Sequence, residues 1–299
     1  MDTHGHAPVL LKESVEYLTE GKYQGIFVDA TLGGGGTSER ILEMVNSTGK
    51  VIGIDQDPGA IELSQKRLTN YPNFTAVCGN FRALDRILKD AEVAEIDGII
   101  FDLGVSSMQL DDPSRGFSFR WDSELNMRMD CDGAGVTAKE LLNSLDRESL
   151  KRLFYKYGED RWAGRIASKI AEKRSSSAIE TTAQLAKLIE MAIPRKFHPR
   201  RIHPATRFFQ ALRIAVNDEL GCLEEALEKA AGLLKRGGRI VVISYHSLED
   251  RIVKQTFRRM SDEEGTLKRI TRKPIIPSQE EIEINPRARS AKMRVAEKM

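Results

Sequence analysis

The stretch that decides the fold is GIFVDATLGGGGTS, residues 25–38. Its first half, GIFVDA at 25–30, is a short apolar, partly β-branched run of the kind buried on both faces of a parallel sheet. Its second half breaks at consecutive glycines, Gly33 to Gly36. The helical period then takes over with Ile41, Leu42 and Val45, before a stop at Gly49. A strand that ends in Asp29, runs into glycine and opens a helix leaves backbone N–H groups exposed at the helix N-terminus, where a ligand can approach closely. This reads as a nucleotide-cofactor loop, because a flexible turn explains the glycines but not their place after the first strand.

Outward from that loop the pattern repeats. VIGID (51–55), FTAV (74–77) and DGIIFDL (97–103) read as further strands buried on both faces, separated by helical patterns at Ile61 and Leu68 and at Leu84, Ile87 and Leu88. Such βαβ units close as a right-handed, mostly parallel sheet with helices on both faces. A fifth strand, RIVVIS (239–244), follows a helix from about Leu223 to Leu234 and a Gly237-Gly238 turn. A parallel crossover needs only about a dozen residues plus its helix, so most of the chain between strands four and five must fold as something else. Helix signals fill it: Thr137 with Glu140, a charged helix from Asp160 to Arg174, and Thr181 with Gln184 ahead of a helix that Pro194 stops. The expected organisation is an α/β cofactor-binding domain from 1–113 and 216–299, with an inserted helical domain at 114–215. From Thr271 onward three prolines and many charges predict an extended arm over the sheet edge or a ligand.

Composition narrows the class. With 299 residues, 40% hydrophobic and 30% charged, the chain can bury a substantial core. Cys78, Cys131 and Cys222 are odd in number and lack metal-ligand spacing, so neither a disulfide framework nor a metal site is expected, and a reducing cytoplasm fits. No basic-then-apolar leader opens the chain, and runs such as GIIF are far too short to span a bilayer, so no membrane role is expected. The net charge of +2 conceals an asymmetry: residues 1–110 hold 9 Lys/Arg against 16 Asp/Glu, and the rest 37 against 28. A basic portion beside an acidic one suggests a polyanionic partner.

The acidic residues around the loop discriminate between cofactors. Gly33, Gly35 and Ser38 fall near a dinucleotide fingerprint, yet Asp29 at the loop would repel a pyrophosphate and attract the ammonium of a methionine moiety. Asp55 at the tip of strand two suits a ribose diol, and Phe81 after strand three can cover an adenine face. The segment DLGVSSMQLDD (102–112) places Asp102, Gly104, Ser106, Ser107 and Gln109 at the carboxyl edge where open α/β sheets bind ligands. SYHSLEDR (244–251) brings Tyr245, His246 and Ser247 toward the same edge, but a Ser-His-Asp hydrolase is disfavoured because no nucleophile elbow is present. PRKFHPRRIHPATRFFQALR (194–213) carries six Lys/Arg and no acid, interleaved with Phe197, Phe208 and Phe209, as a surface for phosphates and unpaired bases would.

These strings, with HAPVLLKE, GIDQDP, RGFSF, MRMD and INPRARSAKMR, resemble the RsmH (MraW) family of 16S ribosomal RNA cytosine-N4 methyltransferases along nearly the whole chain. The resemblance implies a class I S-adenosylmethionine-dependent methyltransferase fold, Rossmann-like with an inserted helical domain, acting on a cytidine in the decoding region of the small ribosomal subunit. It puts cofactor contacts on Gly35, Gly36, Thr37, Asp55, Phe81, Asp102 and Gln109. Two departures stand out: Thr37 where many members have histidine, and WDSELNMRMD in place of the more usual GPLDMRMD run. In-line attack by cytosine N4 needs positioning and a polar acceptor for the amino protons; Asp102, with the backbone after it, is the candidate catalytic residue that orients the reacting groups, the proton passing to a carboxylate or to water. Substrate contacts are expected from Arg200, Arg201, Arg207, Tyr245, His246, Arg287 and Arg289. A DNA amino-methyltransferase is the nearest rival, disfavoured because DLGVSS replaces its usual motif, and a non-catalytic RNA-binding assembly protein is third. Homodimerisation is left open.

Overall fold

The computed structural model describes residues 8–129, 135–199 and 202–299. In chain order, α1 (Leu11–Thr19), β1 (Ile26–Asp29), α2 (Gly36–Met44), β2 (Lys50–Asp55), α3 (Pro58–Arg67), β3 (Phe74–Cys78), α4 (Leu84–Asp90) and β4 (Ile96–Asp102) come first. A helical run follows: α5 (Ser107–Asp111), α6 (Ala138–Ser144), α7 (Arg147–Gly158), α8 (Ala163–Arg174), α9 (Thr182–Ala192) and α10 (Thr206–Asn217). The chain then continues through α11 (Glu219–Leu233), β5 (Leu234–Ser244), α12 (Ser247–Asp262), β6 (Leu267–Arg269), α13 (Gln279–Ile284) and β7 (Lys292–Lys298). It divides into two compact units, Met1–Gly104 with Leu220–Met299, and Val105–Glu219.

In the first unit the strands lie in the order β3-β2-β1-β4-β5-β7-β6. The first five are mutually parallel, and β7 runs antiparallel to both β5 and β6. This is the Rossmann-like, mostly parallel sheet of class I methyltransferases, with its topological switch between β1 and β4. Successive strand residues face opposite sides of the sheet, and burial follows that rule. Val28, Ile52, Ile99 and Val242 pack in one cluster with α4, α11 and α12. Their neighbours Phe27, Val51, Ile100 and Val241 pack in another with α1 and α2. Two apolar faces explain why these four strands read as unbroken hydrophobic runs.

Several expectations are corrected. β3 is an edge strand with Thr75 and Cys78 exposed, so it is not buried on both faces. The predicted extended arm instead contains α13 and β7, and β7 lies inside the sheet. Its charges hid it: Arg294 is buried, with Nε 2.7 Å from Asp250 Oδ1, and Glu297 accepts from Arg239 Nε at 2.9 Å. Gly237 and Gly238 lie within β5, where Gly237 has φ 74° and the pairing with β4 shifts register between Ile96 and Gly98. The helix expected from Asp160 starts at Ala163, because Asp160 accepts the Trp162 N–H at 2.8 Å in the turn before it. Cys78 is disulfide-bonded, contrary to the expectation, whereas Cys222 is free and buried.

The second unit has its own core around Phe154, Ile166, Ile189 and Phe208. Thr137 with Glu140 and Thr181 with Gln184 form reciprocal caps at the starts of α6 and α9, as their spacing predicts. The unit begins at Val105 and ends at Glu219 rather than at the 114 and 215 expected. The reason is packing: Val105, Leu110 and Val216 all pack against its core.

Candidate active site

Strand register brings the acidic strand ends of the first unit to one edge. Asp29 of β1 is level with Gly53 of β2 and Ile100 of β4, Asp55 is level with Cys78, and Asp102 with Ile243. Asp29 is buried, its Oδ2 accepting the Ser38 hydroxyl at 2.8 Å and its Oδ1 the Thr31 N–H at 3.2 Å. Asp55 accepts the Gly33 N–H at 2.8 Å and the Asp57 N–H at 2.9 Å. The Thr31 hydroxyl oxygen accepts the Asp102 N–H at 2.6 Å, joining β4 to the loop. Each acid therefore shapes the glycine loop as well as facing the ligand edge, and Asp29 is a buried brace rather than an open cation contact.

Within the loop the glycines serve different ends. Gly35 caps α2 in the left-handed region at φ 78°, and a Cβ there would sit 3.2 Å from Leu68 Cδ1 and Ser64 Cβ. A Cβ on Gly36 would lie 3.0 Å from Pro8 Cγ. The space beside these two is filled by protein, whereas a Cβ on Gly33 would meet only the Thr31 carbonyl oxygen, at 3.9 Å. Thr37 is buried in the first turn of α2.

The electrostatics of this edge are unusual. Burial pushes the Asp102 carboxyl up to about 7; a hydrogen bond from Tyr245 opposes this, and Asp29 and Glu249 add to it. Asp29 is raised to about 6, mainly by burial, against the bonds from Ser38 and Thr31. Asp55 is raised as well, chiefly by burial. None of the leading influences on these three acids is a lysine or an arginine. Buried negative charge without a compensating cation favours a positively charged ligand and repels a diphosphate. Tyr245 donates its hydroxyl to Asp102 Oδ1 at 2.8 Å, and burial together with Asp102 pushes its own ionisation far up, so it remains a neutral donor.

The other expected residues divide. Phe81 is half-buried in a turn after β3, edge-on to Phe101 with centroids 5.7 Å apart. Tyr245, His246 and Arg289 line one cavity of about 300 Å3 with Ile282 and Lys292. His246 also caps α12, with Nε2 3.1 Å from Glu249 Oε1, so its ring is engaged by its own helix. Gln109 belongs to the second unit, where it is buried and its Oε1 accepts the Ser106 N–H at 3.1 Å in a cap of α5. Arg207 is exposed and weakly tethered, with Nη1 3.9 Å from Asp160 Oδ2. Arg287 is half-buried in the turn after α13. Arg200 and Arg201 lie outside the described residues. Phe208 and Phe209 are core residues, so among the three phenylalanines of that basic stretch only Phe197, 41% exposed, is available for stacking.

Residues 3–299 match the MraW methylase family. The chain belongs to that family. Membership carries activity class and cofactor: the protein is an S-adenosylmethionine-dependent methyltransferase. It is 48% identical over 308 residues to ribosomal RNA small subunit methyltransferase H of Halothermothrix orenii, covering 98% of each chain. Among solved structures it overlaps an rRNA methylase from Streptococcus thermophilus, with 13% identity over 96% of this chain and 95% of that one and a TM-score of 0.45. An S-adenosylmethionine-dependent O-methyltransferase from Thermotoga maritima overlaps with 9% identity over 99% and 68% of the two chains and a TM-score of 0.45.

Three contacts of this methylase escape a reading by motif. Thr31 and Ser38 position Asp102 and Asp29 through their hydroxyls, and their signal was present in the sequence as hydroxyl residues flanking the glycines. The Tyr245–Asp102 bond joins residues 143 apart, and only the parallel pairing of β4 with β5 brings them together.

Proposed function

We propose that this methyltransferase transfers a methyl group from S-adenosylmethionine to N4 of a cytidine in the decoding region of 16S ribosomal RNA. The observation that carries the reading is Asp102, a carboxyl at the strand edge that burial raises to about 7 and that the Tyr245 hydroxyl holds at 2.8 Å. The residues of the first unit fit the cofactor: Asp55 for the ribose, Phe81 for the adenine, the Gly35–Thr37 loop for the methionine portion, and Asp102 opposite its positive charge. Bound S-adenosylmethionine supplies a methyl group on a positively charged sulfur.

Cytosine N4 is a weak nucleophile because its lone pair is delocalised into the ring, so positioning and proton removal carry the catalysis. Asp102 accepts a hydrogen bond from the cytosine amino group, which aims the nitrogen. The methyl group would come from the bound cofactor, which would leave as a neutral thioether holding the electron pair of the broken bond. The surplus amino proton passes to Asp102, whose raised affinity suits a base working near neutral pH. Tyr245 holds the carboxyl in place through Oδ1, leaving Oδ2 for the substrate.

The basic second unit, with Arg200, Arg201 and Arg207, and the segment with Arg287 and Arg289 would bind the RNA backbone, consistent with the ribosomal name of the 48% identical relative. Such a substrate places the enzyme in the cytoplasm; no helix among the described residues is long and apolar enough to cross a membrane. The test is transfer of radiolabelled methyl groups to small ribosomal subunits and to DNA, followed by nucleoside analysis. N4-methylcytidine from the subunits alone is expected. Label in DNA, or on another position of the nucleoside, overturns the reading.

A further inference from the structure

The second unit carries an aromatic and cationic cluster that the methyl-transfer chemistry does not use. Trp162, just before α8, and Phe197, in the turn Arg195–Phe197, have ring centroids 5.4 Å apart and planes tilted at 48°. The Arg161 guanidinium lies 4.7 Å from the Phe197 centroid and 5.4 Å from that of Trp162. Arg165 reaches Trp162 at 5.8 Å, and Lys196 reaches Phe197 at 5.1 Å. The rings border a cavity of about 290 Å3 that continues past Ile193, Ile202 and His203 to Arg207.

Core packing accounts for part of Trp162, which leans on the second unit's core, but not for Phe197. Phe197 leaves 41% of its surface in water, forgoing much of the burial that stabilises a phenylalanine. Arg161, Arg165, Arg195 and Lys196 are all exposed, and none pairs with a described carboxylate. Glu159 and Asp160 line the same cavity, with Asp160 3.9 Å from Arg207, and the four cations outnumber these two acids. Cations at the rim of an aromatic cleft match a flat base with a phosphate on either side. The volume is at the low end of the roughly 300–1,000 Å3 of small-ligand sites, enough for one nucleotide.

We propose that Trp162 and Phe197 form a stacking site for one unpaired nucleotide of the RNA substrate, with Arg161, Arg165 and Lys196 on its phosphates. This rests on the RNA reading above and adds a second point of attachment. Stacking tolerates any base, so the site contributes affinity and leaves the choice of cytidine to the reacting edge.

The experiment uses the full chain with Trp121→Phe, which leaves Trp162 as the one remaining tryptophan of two. A short unstructured RNA should quench Trp162 emission, and Phe197→Ala should weaken RNA binding about 5- to 150-fold. Phe197→Tyr should restore it, and the heat of S-adenosylmethionine binding should not change. If Phe197→Ala folds poorly, Arg161→Ala with Lys196→Ala must flatten the salt dependence of RNA binding. Undiminished binding by Phe197→Ala, an unchanged salt slope, or equal quenching by polyglutamate overturns the proposal. Methyl transfer by the parent enzyme is followed separately. Transfer without quenching defeats only the stacking site. Quenching without transfer defeats the enzymatic reading and leaves the site standing.

Discussion

Tyr245→Phe isolates the proton-acceptor role of Asp102. The substitution keeps the ring and removes the hydroxyl that donates to Asp102 Oδ1 at 2.8 Å. A hydrogen bond to a charged group contributes about 1.5–3 kcal/mol, and each pH unit corresponds to about 1.36 kcal/mol. The bond favours the ionised carboxylate, so its loss raises Asp102 from about 7 by a further ~1–2 pH units. If ionised Asp102 takes the proton, kcat/KM, which reports the free enzyme, has an acid limb near 7 in the parent enzyme. In the variant the limb moves up by that amount. At about pH 7 the ionised fraction then falls roughly 5- to 50-fold, and activity returns in alkaline solution. The assay is kcat/KM for methyl transfer to small ribosomal subunits across the pH range. A uniform loss at every pH, or a limb that stays put or moves down, refutes the reasoning. It would leave Tyr245 a merely structural neighbour.

Other outcomes follow from the same geometry. Binding of S-adenosylmethionine at neutral pH should release protons, because a cation lowers the raised acids; calorimetry in buffers of different ionisation enthalpy would detect this, and zero release contradicts it. Asp29 is raised from 3.8 to about 6, so the stability it contributes is complete below 3.8 and is lost as pH rises through 6. Urea unfolding should register a loss of about 3 kcal/mol across that window, absent in Asp29→Asn. Gly35→Ala forces a side chain into the left-handed region and should cost about 1–2 kcal/mol in the same measurement. Arg287→Ala with Arg289→Ala should weaken RNA binding and flatten its salt dependence, as fluorescence anisotropy at several salt concentrations would show.

The parts of the fold that were legible in the sequence are those with one physical cause. β1, β2, β4 and β5 are covered on both faces, so each reads as an apolar run, and Asp29, Asp55 and Asp102 are found by asking what ends such a run. β3 misled because an edge strand in a parallel sheet is just as β-branched as a central one. β7 was hidden because its charged residues are buried as ion pairs with Asp250 and Arg239, partners that only tertiary structure supplies. The aromatics of the basic stretch were separable in principle: Phe208 and Phe209 lie on the inward stripe of α10, whereas Phe197 is outside it. Tyr245 and Asp102 were legible as neighbours at one sheet edge, but the hydrogen bond between them had no local trace.

The position of β7 also governs how such a chain can be made. It follows every other strand in sequence yet is sandwiched between β5 and β6, so until it is synthesised both of those present unpaired backbone edges. A nascent or prematurely terminated chain then offers a template for intermolecular pairing. The sheet is thus sealed by its last-made strand, and a catalytically competent molecule cannot be released piecemeal during translation.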